Sequence, residues 1–182
     1  MIRLFVALKI PDEVKNHLLN VCYGLSESSE LFKWEKPEKI HLTLKFIGEV
    51  PEELVSSIAK EIAFVEEYNS FNFNVTKFGL FFRNDVPSIL WAGLKTDESI
   101  NRLVGQLNER LSIFSIPVER RKFKPHLTML RLKKDPGNNF ISKFREYSFD
   151  NLNFNSNEIL LIKSELLSTG ARYSDIKKYK LK

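Results

Sequence analysis

One tetrapeptide occurs twice in this chain, as His41-Leu42-Thr43-Leu44 and as His126-Leu127-Thr128-Met129, 85 positions apart from 41 to 126. In a β-strand alternate side chains point to opposite faces. Each copy therefore reads as a strand that buries Leu42 and Leu44, or Leu127 and Met129, and presents an imidazole and a hydroxyl together on its other face. The chain has three histidines, and two of them occupy equivalent places in the repeat. The third, His17, lies beside the apolar stripe of a predicted helix and reads as structural or surface. A chain carrying the same strand twice is constrained to build two comparable lobes. If these are related by an approximate two-fold axis, both His-x-Thr pairs face one cleft from opposite sides.

The rest of the pattern supports two lobes of mixed composition. Residues 3–9 (RLFVALK) read as a strand. Pro11, Asp12 and Glu13 then open a helix whose apolar residues Val14, Leu18, Val21 and Cys22 recur at spacings of three and four. Residues 40–47 alternate as a strand, and 51–68 form a helix with an acidic first turn and the stripe Leu54, Ile58, Ile62, Val65. Two further strands, 71–82 and 88–95, flank the turn RNDVP, and residues 98–114 carry a helix with Ile100, Leu103, Leu107 and Leu111 on one face. The first half then ends near Ser115. Beyond it the theme repeats: a strand over 123–132, a short helix over 138–147, and strands to the C-terminus with a tight turn at 168–171. No linker rich in Gly, Ser or Pro divides the chain, so residues 1–182 are expected to form a single bilobal α+β domain, with two lobes of roughly 90 residues. Its antiparallel-rich sheets line a central cleft, with helices outside.

Composition narrows the functional classes. At 182 residues and 43% hydrophobic content the chain can bury a real core, and seven Gly and seven Pro exclude a collagenous or low-complexity chain. The single Cys22 cannot form an internal disulfide and has no CxxC companion, which points to a reducing compartment, the cytoplasm. No apolar run approaches the roughly 18 to 20 residues of a membrane span. The N-terminus reads as a strand entering a helix rather than as a signal peptide. The formal charge of +5 is unevenly spread: residues 1–116 hold 13 basic and 16 acidic side chains, residues 117–182 hold 15 and 7. Such a basic end suits a phosphate-bearing partner, although a run of charge is also the ordinary look of a solvated face.

Two histidines facing one cleft are the equipment of paired acid and base catalysis, since an imidazole titrates near pH 6.5 and small environmental shifts set either protonation state. The Thr43 and Thr128 hydroxyls can donate to anionic oxygens held between the rings. Neither motif carries a carboxylate at a metal-ligating spacing such as HExxH, and the chain has no P-loop or GxGxxG, so no metal or cofactor is expected.

The two His-x-Thr-x motifs in their longer contexts, Trp34 to Gly48 (WEKPEKIHLTLKFIG) and Phe123 to Arg131 (FKPHLTMLR), resemble the two-histidine (2H) phosphoesterases. Within them the chain is similar to the RNA 2′,3′-cyclic phosphodiesterases once called 2′-5′ RNA ligases. The RLFVAL strand followed by Pro11, the Leu90-Trp91-Ala92-Gly93 strand, Ser164-Glu165-Leu166 and Gly170-Ala171-Arg172-Tyr173 extend the resemblance over nearly the whole chain. It implies a hydrolase that opens the 2′,3′-cyclic phosphate at an RNA 3′ end to a 2′-phosphate without metal. By that resemblance His41 is the proton donor to the departing 3′ oxygen, His126 the acceptor that activates water, and Thr43 and Thr128 hold the phosphoryl oxygens. Reverse 2′-5′ ligation is allowed by microscopic reversibility, and nothing demands more than a monomer. The alternative is a non-hydrolytic protein that grips an RNA end in the same cleft.

Further side chains are candidates for substrate contact. Lys45 shares a face with His41 and Thr43 if alternation is unbroken. Arg131 lies opposite His126 under the same rule and reaches the phosphate only after a bulge or at the strand's end. Trp34, Phe46 and Tyr173 can stack on a base, although the core is the commoner place for aromatics in a chain with 15 Phe.

Overall fold

The computed structural model describes residues 1–27, 29–168 and 170–182. In chain order the elements are β1 (Ile2–Leu8), α1 (Asp12–Leu25), β2 (Leu42–Val50), α2 (Val55–Ile62), β3 (Phe71–Arg83), β4 (Val86–Lys95), α3 (Ser99–Leu111), β5 (His126–Arg131), α4 (Asn138–Glu146), β6 (Asn153–Ser156), β7 (Glu158–Leu167) and β8 (Gly170–Lys180). Short 3₁₀ turns flank α2, so the long helix read over 51–68 is a bent series of turns around eight α-helical residues. The RNDVP turn is the two-residue loop Asn84-Asp85. Both residues have positive φ (49° and 60°), which matches the turn's twist to that of β3 and β4. Part of the turn expected at 168–171 falls on Thr169, outside the described residues.

Two four-stranded antiparallel sheets form, ordered β2-β1-β7-β8 and β5-β4-β3-β6. The repeat predicts lobes that coincide with the two halves of the chain, and the lobes do not coincide with them. Each sheet takes strands from both halves, and the helices trade places. α1 follows β1 yet lies beside α4, which packs on β3 of the other sheet through Phe144 against Phe78 at 5.2 Å. α3 follows β4 yet packs on α2 and on β2 of the first sheet. The pseudo-two-fold thus equates β1-α1-β2-α2 with β4-α3-β5-α4. Ile100, Leu103, Leu107 and Leu111 of α3 are at most 1% exposed, each burial contributing roughly 1.5–3 kcal/mol. One continuous apolar core joins residues from both sheets and all four helices. Tyr179, fully buried near the end of the mostly exposed strand β8, donates its hydroxyl to Ala59 O of α2 at 2.7 Å.

Candidate active site

The two motif strands share a local irregularity. Along β2, Thr43 faces Ala7 and Lys45 faces Val6, which leaves Leu44 as an extra residue; along β5, Thr128 faces Trp91 and Leu130 faces Leu90, which leaves Met129 extra. Each is a β-bulge one residue after the threonine, and each turns two successive side chains inward. Leu44 and Lys45 are both buried, as are Met129 and Leu130. The next residue then returns to the cleft face: Phe46 on β2 and Arg131 on β5.

This explains where the sequence reading holds and where it fails. Arg131 joins His126 and Thr128 on one face because of the bulge. Lys45 does not share the face of His41 and Thr43. It points inward, is 4% exposed, and donates to Asn108 Oδ1 of α3 at 2.7 Å and to Pro117 O at 2.5 Å. Burial pushes its pKa down, opposed by the Glu119 carboxylate. Lys45 is thus a buried strut between motif strand β2 and the segment that leads toward β5.

A pocket of about 320 Å³ brings together His41, Thr43, His126, Thr128, Arg131, Phe46 and Tyr173. Each imidazole sits two residues after a lysine whose backbone acts on the ring. His126 Nδ1 lies 2.7 Å from the carbonyl of Lys124, an acceptor that requires the proton on Nδ1 and leaves Nε2 to the cleft. The backbone of Lys39, also two residues upstream, acts on His41 in the same sense, raising its pKa. Aromatic rings back both: Phe5 stacks on His41 at 4.8 Å with Tyr173 edge-on at 5.5 Å, and Phe81 meets His126 edge-on at 5.0 Å with Trp91 at 6.4 Å. Trp91 fits there because Gly79 and Gly93 leave room; a Cβ on Gly79 would collide with its six-membered ring.

The electrostatics are asymmetric. Burial, then the positive charges of Lys15 and Arg131, push the His41 pKa down to about 4, against the opposing bond to Lys39. Tyr173 is raised, first by burial and then by the Glu35 carboxylate. Arg131 donates from Nε to Glu35 Oε1 at 3.1 Å, and the Arg3 guanidinium lies over the Phe46 ring at 5.0 Å. Among the described residues no three His, Cys, Asp or Glu side chains converge as a metal-holding set, and no helix is long and apolar enough to cross a membrane.

Trp34 does not line this pocket. Its indole donates to Ser29 O at 2.9 Å and packs in a cluster with Tyr23, Phe32, Phe140 and Phe144, so it clasps α1 to α4, and it lines the wider concavity beside the pocket. Sequence reasoning missed Arg3, Glu35, Lys39 and Ser164, which all line the pocket. Arg3 alternates with Phe5 on β1 and was legible in principle as a charged residue inside an apolar strand. Glu35 was not, because its place depends on a backbone bond from its N–H to Met129 O at 2.9 Å.

The description "LigT like Phosphoesterase" names the family whose model matches residues 8–91 and 94–173, one stretch holding each motif. An RNA 2′,3′-cyclic phosphodiesterase of Thermotoga maritima is 34% identical over 135 residues, 74% of this chain and 72% of that protein. One of Archaeoglobus fulgidus is 29% identical over 96% of this chain and 98% of the relative. Among solved structures, TT0787 of Thermus thermophilus superposes with a TM-score of 0.85 at 26% identity, covering 98% of this chain and 97% of that one. Escherichia coli LigT complexed with 3′-AMP shares the fold with a TM-score of 0.83 at 21% identity, covering 99% and 98%. With two His-x-Thr strands facing one pocket and the family match spanning both, the chain belongs to the LigT-like phosphoesterase family of the two-histidine superfamily and is a phosphoric ester hydrolase.

Proposed function

We propose that this enzyme hydrolyses the 2′,3′-cyclic phosphate at an RNA 3′ end to a 2′-phosphate, acting as a cytoplasmic monomer. The observation that carries the reading is the meeting of His41, Thr43, His126 and Thr128 from two different sheets in one pocket with Arg131. The relatives' names supply the substrate. In the proposed step, His126 Nε2 takes a proton from water as its oxygen attacks phosphorus. The P–O3′ bond breaks, and His41 gives its proton to O3′, so that one water is consumed and a 2′-phosphate and a 3′-hydroxyl result. Thr43, Thr128 and Arg131 donate to the phosphoryl oxygens as charge builds on them. With an RNA 5′-hydroxyl in place of water, the same attack on the cyclic phosphate forms a 2′-5′ phosphodiester as O3′ leaves and takes the proton from His41, and in dilute aqueous solution hydrolysis dominates. No metal is required by this scheme.

The test is product analysis on a defined RNA with a cyclic phosphate end. Wild type is expected to yield a 2′-phosphate, with or without chelator. His41→Ala and His126→Ala should each lose on the order of 10²- to 10⁴-fold in kcat, and the double variant little more, because the pair acts as a unit. A 3′-phosphate product, or retention of wild-type rate by either variant, would refute the assignment.

A further inference from the structure

A second concavity of about 1460 Å³, more than four times the volume of the catalytic pocket, opens directly from it. The two share Glu35, Lys39, His41, Arg131 and Tyr173, so the larger one is a continuation of the site and not a separate cavity. Nine Lys and Arg against three Asp and Glu line it. Several of those cations are already matched by carboxylates, such as Lys9 by Glu158 and Arg172 by Glu165. Lys36, Lys39, Lys133 and Lys134 have no carboxylate within ion-pair distance among the described residues. They flank the two motifs: Lys36 and Lys39 precede β2, and Lys133 and Lys134 follow β5. The same groove exposes apolar side chains, Leu31 at 74% and Leu167 at 46%, which ordinary solvation does not favour.

We infer that this groove holds the single strand that leads up to the cyclic phosphate, which makes the enzyme's preferred substrate an oligonucleotide of several residues and not a cyclic mononucleotide. The inference rests on the hydrolytic reading above. With the terminal phosphate between the histidines, the rest of the strand must leave in the 5′ direction. The groove that meets the pocket at Lys39 and Arg131 combines what an unpaired strand presents, a row of phosphates for the lysines and base faces for the apolar floor. A cyclic mononucleotide fills the smaller pocket and reaches neither Lys133 nor Lys134. Both lysines are exposed, and their replacement leaves the core untouched.

The experiment measures kcat/KM for a cyclic mononucleotide and for oligoribonucleotides of two to eight residues with 2′,3′-cyclic ends, in wild type and in the Lys133→Ser/Lys134→Ser variant. In wild type kcat/KM should rise at least tenfold with length and level off at about five residues. The variant should lose most of that gain while keeping the wild-type rate on the mononucleotide. The slope of log kcat/KM against log salt for the longest substrate should fall by roughly 1 to 2 in the variant, following about 0.7 per phosphate contact on a single strand. Equal kcat/KM at every length, or a variant indistinguishable from wild type on the octamer, overturns the inference. Fluorescence anisotropy with 2′-phosphorylated oligomers reads the groove independently of turnover. Tightening with length that depends on the two lysines supports it, and length-independent binding overturns it. Failure to hydrolyse any of the substrates would instead strike the hydrolytic reading.

Discussion

The residue with the most unusual chemistry is His41. Its surroundings favour the neutral ring, yet the proposed step asks it to deliver a proton. A depressed pKa makes the imidazolium a strong acid, and a phosphodiester anion placed against the ring opposes Lys15 and Arg131 and favours the charged form. The titration of His41 in kcat/KM against pH is therefore expected near pH 4, well below the ordinary imidazole value, and should move upward in Lys15→Met, which removes a cation acting on the ring. A titration near pH 4 that stays put in that variant would contradict this account. Stability carries the same signature. The unfolded chain binds a proton on His41 near pH 6.5, and the folded chain does so only near 4, so the unfolded state holds more protons between those values and stability falls as pH drops through that window. The loss is at most about 3 kcal/mol for this group. Denaturant titrations at pH 7 and pH 4.5 should show it in wild type and a shallower drop in His41→Asn.

At the scale of elements, the paired bulges decide which side chains reach the phosphate. They also mark the limit of what the sequence reveals. The strands, their order, the helical stripes and the shared face of His41 with Thr43 and of His126 with Thr128 follow from periodicity, because alternation is a local property. A bulge is a relation between two strands. That Leu44 and Met129 go unpaired depends on how β1 and β4 register against them, and the burial of Lys45 depends on acceptors 63 and 72 residues away in Asn108 and Pro117. The places of Glu35 and Trp34 escape a local reading for a similar reason, since their setting is a bridge to β5 rather than anything in their own neighbourhood. The backing of His126 is equally non-local. Gly79→Ala should drive a methyl into the Trp91 ring, destabilising the protein by about 1–3 kcal/mol and lowering kcat through the displaced ring behind His126. Thermal unfolding together with kcat checks this. Gly24→Ala in α1, where nothing lies within 4 Å of the new Cβ, is the control that should leave kcat unchanged and stability the same or slightly higher.

For the whole molecule, the exchange of strands and helices between the lobes matters more than their likeness. A repeat in sequence invites the reading that each copy folds by itself, and strand pairing is the long-range fact that overrules it. Neither residues 1–115 nor 116–182 holds a complete sheet, since β1 and β2 need β7, and β5 needs β4. Unfolding should accordingly be a single transition, with calorimetric and van't Hoff enthalpies equal, and the two fragments expressed apart should show no cooperative melt. Two separate transitions, or a folded fragment 1–115, would disprove it. The crossing of α1 and α3 has a second consequence, for motion. Hinged enzymes close around their substrates by rotating bodies joined through a few residues, across an interface with little buried between them. Here each lobe is roofed by a helix that belongs, by chain order, to the other, and one continuous core runs beneath both. Gaping of the cleft would have to separate residues of that core. The spacing of the two imidazoles is therefore expected to be set when the chain folds and to stay the same through turnover, as in a jaw that does not open.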